Sequence, residues 1–224
     1  MMRDKKVIYN RIKSEGLLPL FYHDDTEVCI AVTNALFKAD VSIIEFTNRG
    51  ENAIKNLQAI IKERDSSMPE LLIGVGTVIN ADEARLFIEL GADFLVSPFF
   101  DETVNTAAVK AKIPYLPGCM TPREIHLAVA AGCTTIKLFP GNVLGPAFVE
   151  AIRPLFNDID FIVTGGVETN KENITSWFKS GVSAVGLGSK LITKNIITNK
   201  DFNSLTETAI SVKTVINQIR DINY

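Results

Sequence analysis

The residue that asks most of its surroundings is Lys137, within Thr134-Thr135-Ile136-Lys137-Leu138-Phe139-Pro140. The stretch reads as a short, buried, β-branched strand closed by Phe-Pro-Gly. Alternation along a strand puts Thr135 and Lys137 on one face, and Ile136 and Leu138 on the other. A lysine inside a parallel strand is costly unless it is paired or functional. Desolvation favours the uncharged amine, which can form a Schiff base with a carbonyl substrate. The competing reading is a strand-end lysine snorkelling to water.

A carboxylate is the natural partner. In Ile43-Ile44-Glu45-Phe46-Thr47-Asn48-Arg49, alternation carries Ile43, Glu45 and Thr47 onto one strand face. Lysine plus a carboxylate that shuttles protons is a sufficient minimum for imine chemistry; the alternative is a buried ion pair with a purely structural role. Arg49 lies just past the strand end, as a fork for a carboxylate or as a plain loop arginine. Thr164-Gly165-Gly166 and Gly188-Ser189 supply glycines where backbone N–H groups can approach a phosphate, although tight turns use glycine too. Gly74-Val75-Gly76-Thr77 lacks the Gly-Lys-Ser/Thr of a P-loop. His126 falls in a helix. His23 follows the first strand, where a part in the site is the lesser expectation. Cys29, Cys119 and Cys133 read as core or helix residues.

These residues need a scaffold that gathers them. Residues 3–14 read as an amphipathic lead-in helix with Val7, Ile8 and Ile12 on one side, stopped by Gly16. Apolar runs then recur at Leu17–Tyr22, Val41–Phe46, Leu71–Val75, Phe94–Ser97, Tyr115–Pro117, Thr134–Leu138, Asp160–Val163 and Ser183–Leu187. Helical stretches fill the gaps at Asp24–Phe37, Glu51–Lys62, Ala81–Leu90, Asp101–Ala111, Pro122–Ala131, Ala147–Leu155, Lys171–Lys179 and about 203–220. Asn80 and Thr121-Pro122 mark helix starts, and Gly91, Gly132 and Gly181 mark helix ends.

Continuous apolar strands alternating with helices indicate a parallel sheet buried on both faces. An open doubly wound sheet also alternates in this way. Eight such units without a dinucleotide glycine fingerprint favour an α/β fold of the closed (β/α)8 TIM-barrel type, with residues 1–224 as a single domain. In a barrel the chemistry sits where strands end. The strand ends hold Glu45, Thr47, Gly76-Thr77, Ser97-Pro98, Gly118, Thr164-Gly165-Gly166 and Gly188-Ser189, as a small-molecule site requires.

Composition narrows the partners. Lys and Arg number 23 against 26 Asp and Glu, a net charge of −3 without a basic run, which argues against nucleic acid. No apolar run spans a membrane and no apolar leader opens the sequence. Three cysteines without C-x-x-C spacing point to a reduced, cytoplasmic setting. With two histidines in distant segments, no metal site is expected.

From Leu17 to Leu191 the motifs Glu45-x-Thr47-x-Arg49, Gly74-x-Gly76-Thr77, Ser97-Pro98, Pro117-Gly118-x-x-Thr121, Lys137-x-Phe139-Pro140, Thr164-Gly165-Gly166 and Gly188-Ser189 run in colinear order. In that order the chain resembles the 2-keto-3-deoxy-6-phosphogluconate (KDPG) and 4-hydroxy-2-oxoglutarate (KHG) aldolases. The resemblance implies a class I aldolase without metal or cofactor, acting on a small 2-keto acid and usually homotrimeric. It implies Lys137 as the Schiff-base lysine and Glu45 as the acid/base carboxylate. Arg49 and Thr77 would hold the keto-acid carboxylate, with Pro98 and Gly118 shaping that pocket. Gly165, Gly166, Gly188 and Ser189 would take phosphate, with Thr47, Ser97, Phe139 and Thr164 as further pocket residues.

Two positions depart from the pattern. Gly50 stands where many members carry serine or threonine, and Gly141-Asn142 where Ala-Glu is frequent. Past Leu191 no motif matches. A phosphate-binding barrel isomerase or synthase, without an imine, would share the strand 7 and 8 glycines. A non-catalytic sugar-phosphate-binding protein would share the same pocket.

Overall fold

The computed structural model describes residues 4–222. Its strands are β1 (Leu17–Phe21), β2 (Ile43–Thr47), β3 (Leu72–Gly76), β4 (Phe94–Val96), β5 (Tyr115–Leu116), β6 (Gly118–Cys119), β7 (Thr135–Leu138), β8 (Asp160–Thr164) and β9 (Ala184–Leu187). Between and around them run helices α1 (Lys5–Glu15), α2 (Thr26–Lys38), α3 (Ala53–Ser67), α4 (Ala81–Glu89), α5 (Glu102–Ala111), α6 (Pro122–Ala130), α7 (Gly141–Ile152), α8 (Lys171–Lys179), α9 (Lys194–Asn199) and α10 (Phe202–Ile222).

The nine strands pair in the order β5-β4-β3-β2-β1-β9-β8-β7-β6, and every pairing is parallel. The two ends of that order are consecutive in sequence. Pro117, which has no N–H to donate, splits what is otherwise one stave into β5 and β6. Its carbonyl still accepts the Lys137 N–H at 2.9 Å, and the Leu116 carbonyl accepts the Ser97 N–H at 3.2 Å. The sheet thus closes almost completely into a TIM-type barrel that begins with a helix, as the alternating pattern requires.

Strand alternation sorts the side chains into two cores. Outward residues such as Ile136, Leu138, Phe161 and Val185 pack against the helices. Inward residues Leu18, Ile43, Leu72, Phe94, Leu116 and Ile162 fill the lower barrel. Helix α1 seals that end with Ile8 and Ile12, 1% and 2% exposed. Asp4 starts α1 by accepting the Lys6 N–H at 2.7 Å, and Gly16 ends it with φ 68°. Val7, expected on the buried side, is 53% exposed: two contacts one turn apart already fill the plug, and Val7 falls off that stripe. Residue 3, the expected start of the helix, lies outside the described residues.

Local chemistry sets the helix starts that position the strand ends. Asn80 accepts the Glu83 N–H at 2.9 Å, and Thr121 and Glu124 form a reciprocal capping box ahead of α6. The sequence pattern misplaces one helix and omits another. Helix α7 starts at Gly141 rather than Ala147, with a break at Gly145 (φ 72°, ψ 165°) before Pro146. Helix α9, with Ile196 and Ile197 side by side in six residues, is too short to show an apolar period.

Candidate active site

Lys137 points into the barrel from β7, between Gly118 of β6 and Ile162 of β8. It is 6% exposed. Glu45 points inward from β2, in register with Leu20 of β1 and Gly74 of β3. The lysine Nζ stands 3.8 Å from Glu45 Oε1, and 5.2 Å from the centre of the Phe139 ring. That separation is looser than a charge-assisted hydrogen bond. Glu45 Oε2 and Thr164 Oγ1 are buried, and neither has a hydrogen-bond partner among the described residues. Buried polar atoms left open in this way are uncommon in a fold and call for a partner.

Glycine creates the room for this pair. A Cβ on Gly76 would fall 1.9 Å from Glu45 Oε1, and one on Gly74 would fall 2.1 Å from the Phe94 ring. On the far wall, a Cβ on Gly186 would meet Thr164 Oγ1 at 2.3 Å. The carboxylate and the threonine therefore occupy the volume of missing side chains on neighbouring strands.

Above this floor the strand ends form two arcs. In one, Thr77 holds φ 63°, a strained conformation for a β-branched residue. The hydroxyl of Ser97 donates to the Val78 carbonyl behind it. Pro98 closes on Gly118 so tightly that a Cβ there would lie 2.2 Å from the Pro98 carbonyl oxygen. The other arc is a cavity of about 480 Å³ that includes Thr47, Arg49, Gly188 and Ser189. Thr47 also donates its hydroxyl to the Phe21 carbonyl at 3.3 Å, which ties the ends of β1 and β2 together. Arg49 is exposed at the rim.

The expected phosphate-binding glycines divide between these places. Gly188 and Ser189 line the cavity. Gly165 and Gly166, at φ 96° and 71°, lie instead against α7, where a Cβ on Gly166 would be 2.4 Å from Asn142 Cβ. An ion pair, Glu168 to Lys190 at 2.9 Å, bridges the two glycine loops.

Sequence reasoning missed part of the cavity. Tyr22, Lys194 and Ile197 line it, and so does His23, which the sequence had favoured only weakly. The Tyr22 hydroxyl donates to Asp24, which raises its pKa above the ordinary phenol value. The same hydroxyl fills the space beside Gly50, where an added Cβ would lie 2.2 Å from it. The glycine at 50 is thus matched to a tyrosine at 22, a pairing visible only in three dimensions. Lys194 stands on α9, which no sequence period announces. The thiols stay in packing roles: burial pushes Cys29 and Cys119 up to about 12, far from a thiolate at neutral pH.

Residues 8–208 match the family model described as KDPG and KHG aldolase. The chain is 30% identical over 210 residues to the KHG/KDPG aldolase of Escherichia coli K12, covering 93% of this chain and 96% of that protein. It is 29% identical over 163 residues to the 2-dehydro-3-deoxy-6-phosphogalactonate aldolase of the same organism, covering 72% and 77% of the two chains. Among solved structures it is similar to a KDPG aldolase from Legionella pneumophila with pyruvate captured as a covalent carbinolamine intermediate. There the TM-score is 0.83 and the identity 27%, over 90% of this chain and 96% of that one.

Proposed function

The chain belongs to the KDPG and KHG aldolase family, and from that premise we propose that it cleaves a 2-keto-4-hydroxy acid to pyruvate and an aldehyde by imine chemistry. The aldehyde is glyceraldehyde 3-phosphate when the substrate is KDPG, and glyoxylate when it is KHG. One observation carries the reading: a buried lysine amine 3.8 Å from a buried carboxylate that keeps one oxygen free.

Lys137 Nζ attacks the C2 carbonyl, and the carbinolamine loses water to give a protonated imine. Glu45, through a water, supplies and removes the protons of those steps. It then takes the proton of the C4 hydroxyl, the C3–C4 bond breaks, and its electron pair flows into the iminium as an enamine. The aldehyde leaves. Protonation at C3 and hydrolysis release pyruvate and restore the amine. Arg49 and Thr77 hold the C1 carboxylate, in a pocket shaped by Ser97, Pro98, Gly118 and Phe139. Ser189, with Gly188, Gly165 and Gly166, takes the phosphate; Thr47 and Thr164 complete the walls. The unpartnered Thr164 hydroxyl supports a place for water or substrate inside the barrel.

Borohydride reduction in the presence of pyruvate tests this directly. Mass spectrometry should find a reduced pyruvate adduct on Lys137, and Lys137→Ala should lose both the adduct and pyruvate release from KDPG. Full activity in Lys137→Ala would end the proposal.

The chain further reads as a homotrimer. Ile79, Phe99, Met120 and Val143, each at least 41% exposed, follow the adjoining staves β3, β4, β6 and β7, and supply an apolar flank for a second copy. Light scattering should return three times the chain mass. Among the described residues no helix is long and apolar enough to cross a membrane; with its cysteines buried and free, a cytoplasmic setting is the consistent proposal.

A further inference from the structure

We propose that Lys194, with His23 on the wall of the same cavity, binds the substrate's terminal phosphate and makes the enzyme selective for phosphorylated over unphosphorylated 2-keto-3-deoxy acids. This deepens the aldolase reading and rests on it. The cavity is about 480 Å³, within the range of small-ligand sites, and none of the twelve residues lining it is acidic. Arg49 and Lys194 are the two full cations on its wall, and the proposed function assigns Arg49 to the C1 carboxylate.

Lys194 is available where its neighbour is not. Lys190 pairs with Glu168 at 2.9 Å. Lys194 has no carboxylate partner among the described residues. Its backbone is nonetheless held in place: the Leu191 and Ile192 N–H groups both donate to the Gly188 carbonyl at 2.9 Å, and Leu191 and Ile196 are buried. The ammonium therefore rides on a fixed anchor that starts from the same loop as Ser189.

His23 is held more closely still. Its Nδ1 accepts the Asp25 N–H at 3.0 Å, which leaves Nε2 as the ring's donor. Its carbonyl accepts from Asn56 Nδ2 at 2.8 Å and from Cys29 Sγ at 3.2 Å, and both of those side chains are fully buried. A donor fixed before the ligand arrives loses little freedom on binding. A phosphate dianion matches this wall better than a hydroxyl, which can accept a hydrogen bond from the ammonium but brings no charge to pair with it.

The test compares kcat and KM on KDPG, on its dephosphorylated counterpart and on KHG. Lys194→Met should raise KM for KDPG about tenfold, the loss of one charge-assisted hydrogen bond, with kcat held. The ratio of kcat/KM on KDPG to that on the dephosphorylated acid should shrink by the same factor, Lys194→Arg should restore it, and His23→Leu should shrink it less. Inorganic phosphate titrated by calorimetry should bind the wild type and bind Lys194→Met more weakly, a readout that needs no turnover. An unchanged ratio, or an equal loss on all three substrates, overturns the proposal. A wild type that binds phosphate through Lys194 but releases no pyruvate overturns the aldolase reading instead.

Discussion

Arg64–Asp93 and Lys137–Glu45 are both buried ion pairs, and they are built on different terms. Asp93 Oδ2 accepts from Arg64 Nη1 at 2.9 Å and from the Ile73 N–H at 2.8 Å, while Arg64 Nε donates to Asp65 at 2.7 Å. That pair spends its hydrogen bonds on stitching α3 to the bases of β3 and β4. Lys137 and Glu45 stand 3.8 Å apart, and Glu45 Oε2 has no partner among the described residues. A buried pair with so little compensation for its desolvation is a poor staple. The contrast indicates where to look for chemistry: the buried charge whose valence is unfilled, rather than the one best bonded.

Four substitutions would break or sharpen that contrast. Asp93→Ala strands the Ile73 N–H and leaves Arg64 with only Asp65, and should cost about 3 kcal/mol in urea unfolding while the surviving folded protein keeps its kcat. Glu45→Gln should do the reverse. It should lower kcat on the order of 10²–10³-fold in a pyruvate-release assay, with a smaller change in the unfolding midpoint. The double variant Glu45→Leu, Lys137→Met replaces the loose pair with apolar packing and should be inactive yet more stable by about 1–4 kcal/mol. The opposite sign from that variant would place the loose pair with the staples.

The smallest effect belongs to a well-bonded carboxylate at a helix start. Burial pushes the Glu124 pKa up, but hydrogen bonds from the Met120 N–H, the Thr121 hydroxyl and the Thr121 N–H outweigh it and hold the carboxyl below its ordinary value. The stability it adds is thus complete above the unfolded-chain pKa of about 4.3 and is lost as pH falls through the folded value. Glu124→Gln should cost about 0.5–1 kcal/mol at pH 7, and the cost should shrink toward pH 3 in thermal melts.

Much of this was legible in the sequence because it obeyed a period. The strands stand within a few residues of their apolar runs, and alternation alone turned Glu45 and Lys137 to the inside. What was not legible depended on partners remote in the chain. Helix α9 has six residues, too few for a helical stripe to declare itself. Gly145-Pro146 hid the first turns of α7. His23 stood at the edge of the reading because the feature that recommends it, a ring nitrogen fixed by Asp25 and a carbonyl fixed by Asn56, lies in hydrogen bonds that no spacing encodes. Gly50 read as a departure, and its reason is the hydroxyl of Tyr22, just past the end of β1.

Gly76 has a consequence for anyone who judges such a protein by its residues. The Glu45 carboxylate sits where it does because a carbon is missing on the adjacent strand, and a single methyl there would lie 1.9 Å from Glu45 Oε1. A natural variant bearing alanine at that position would retain every reactive side chain and satisfy any checklist of essential residues, yet it would have to push the Glu45 carboxylate out of the place it holds beside Lys137.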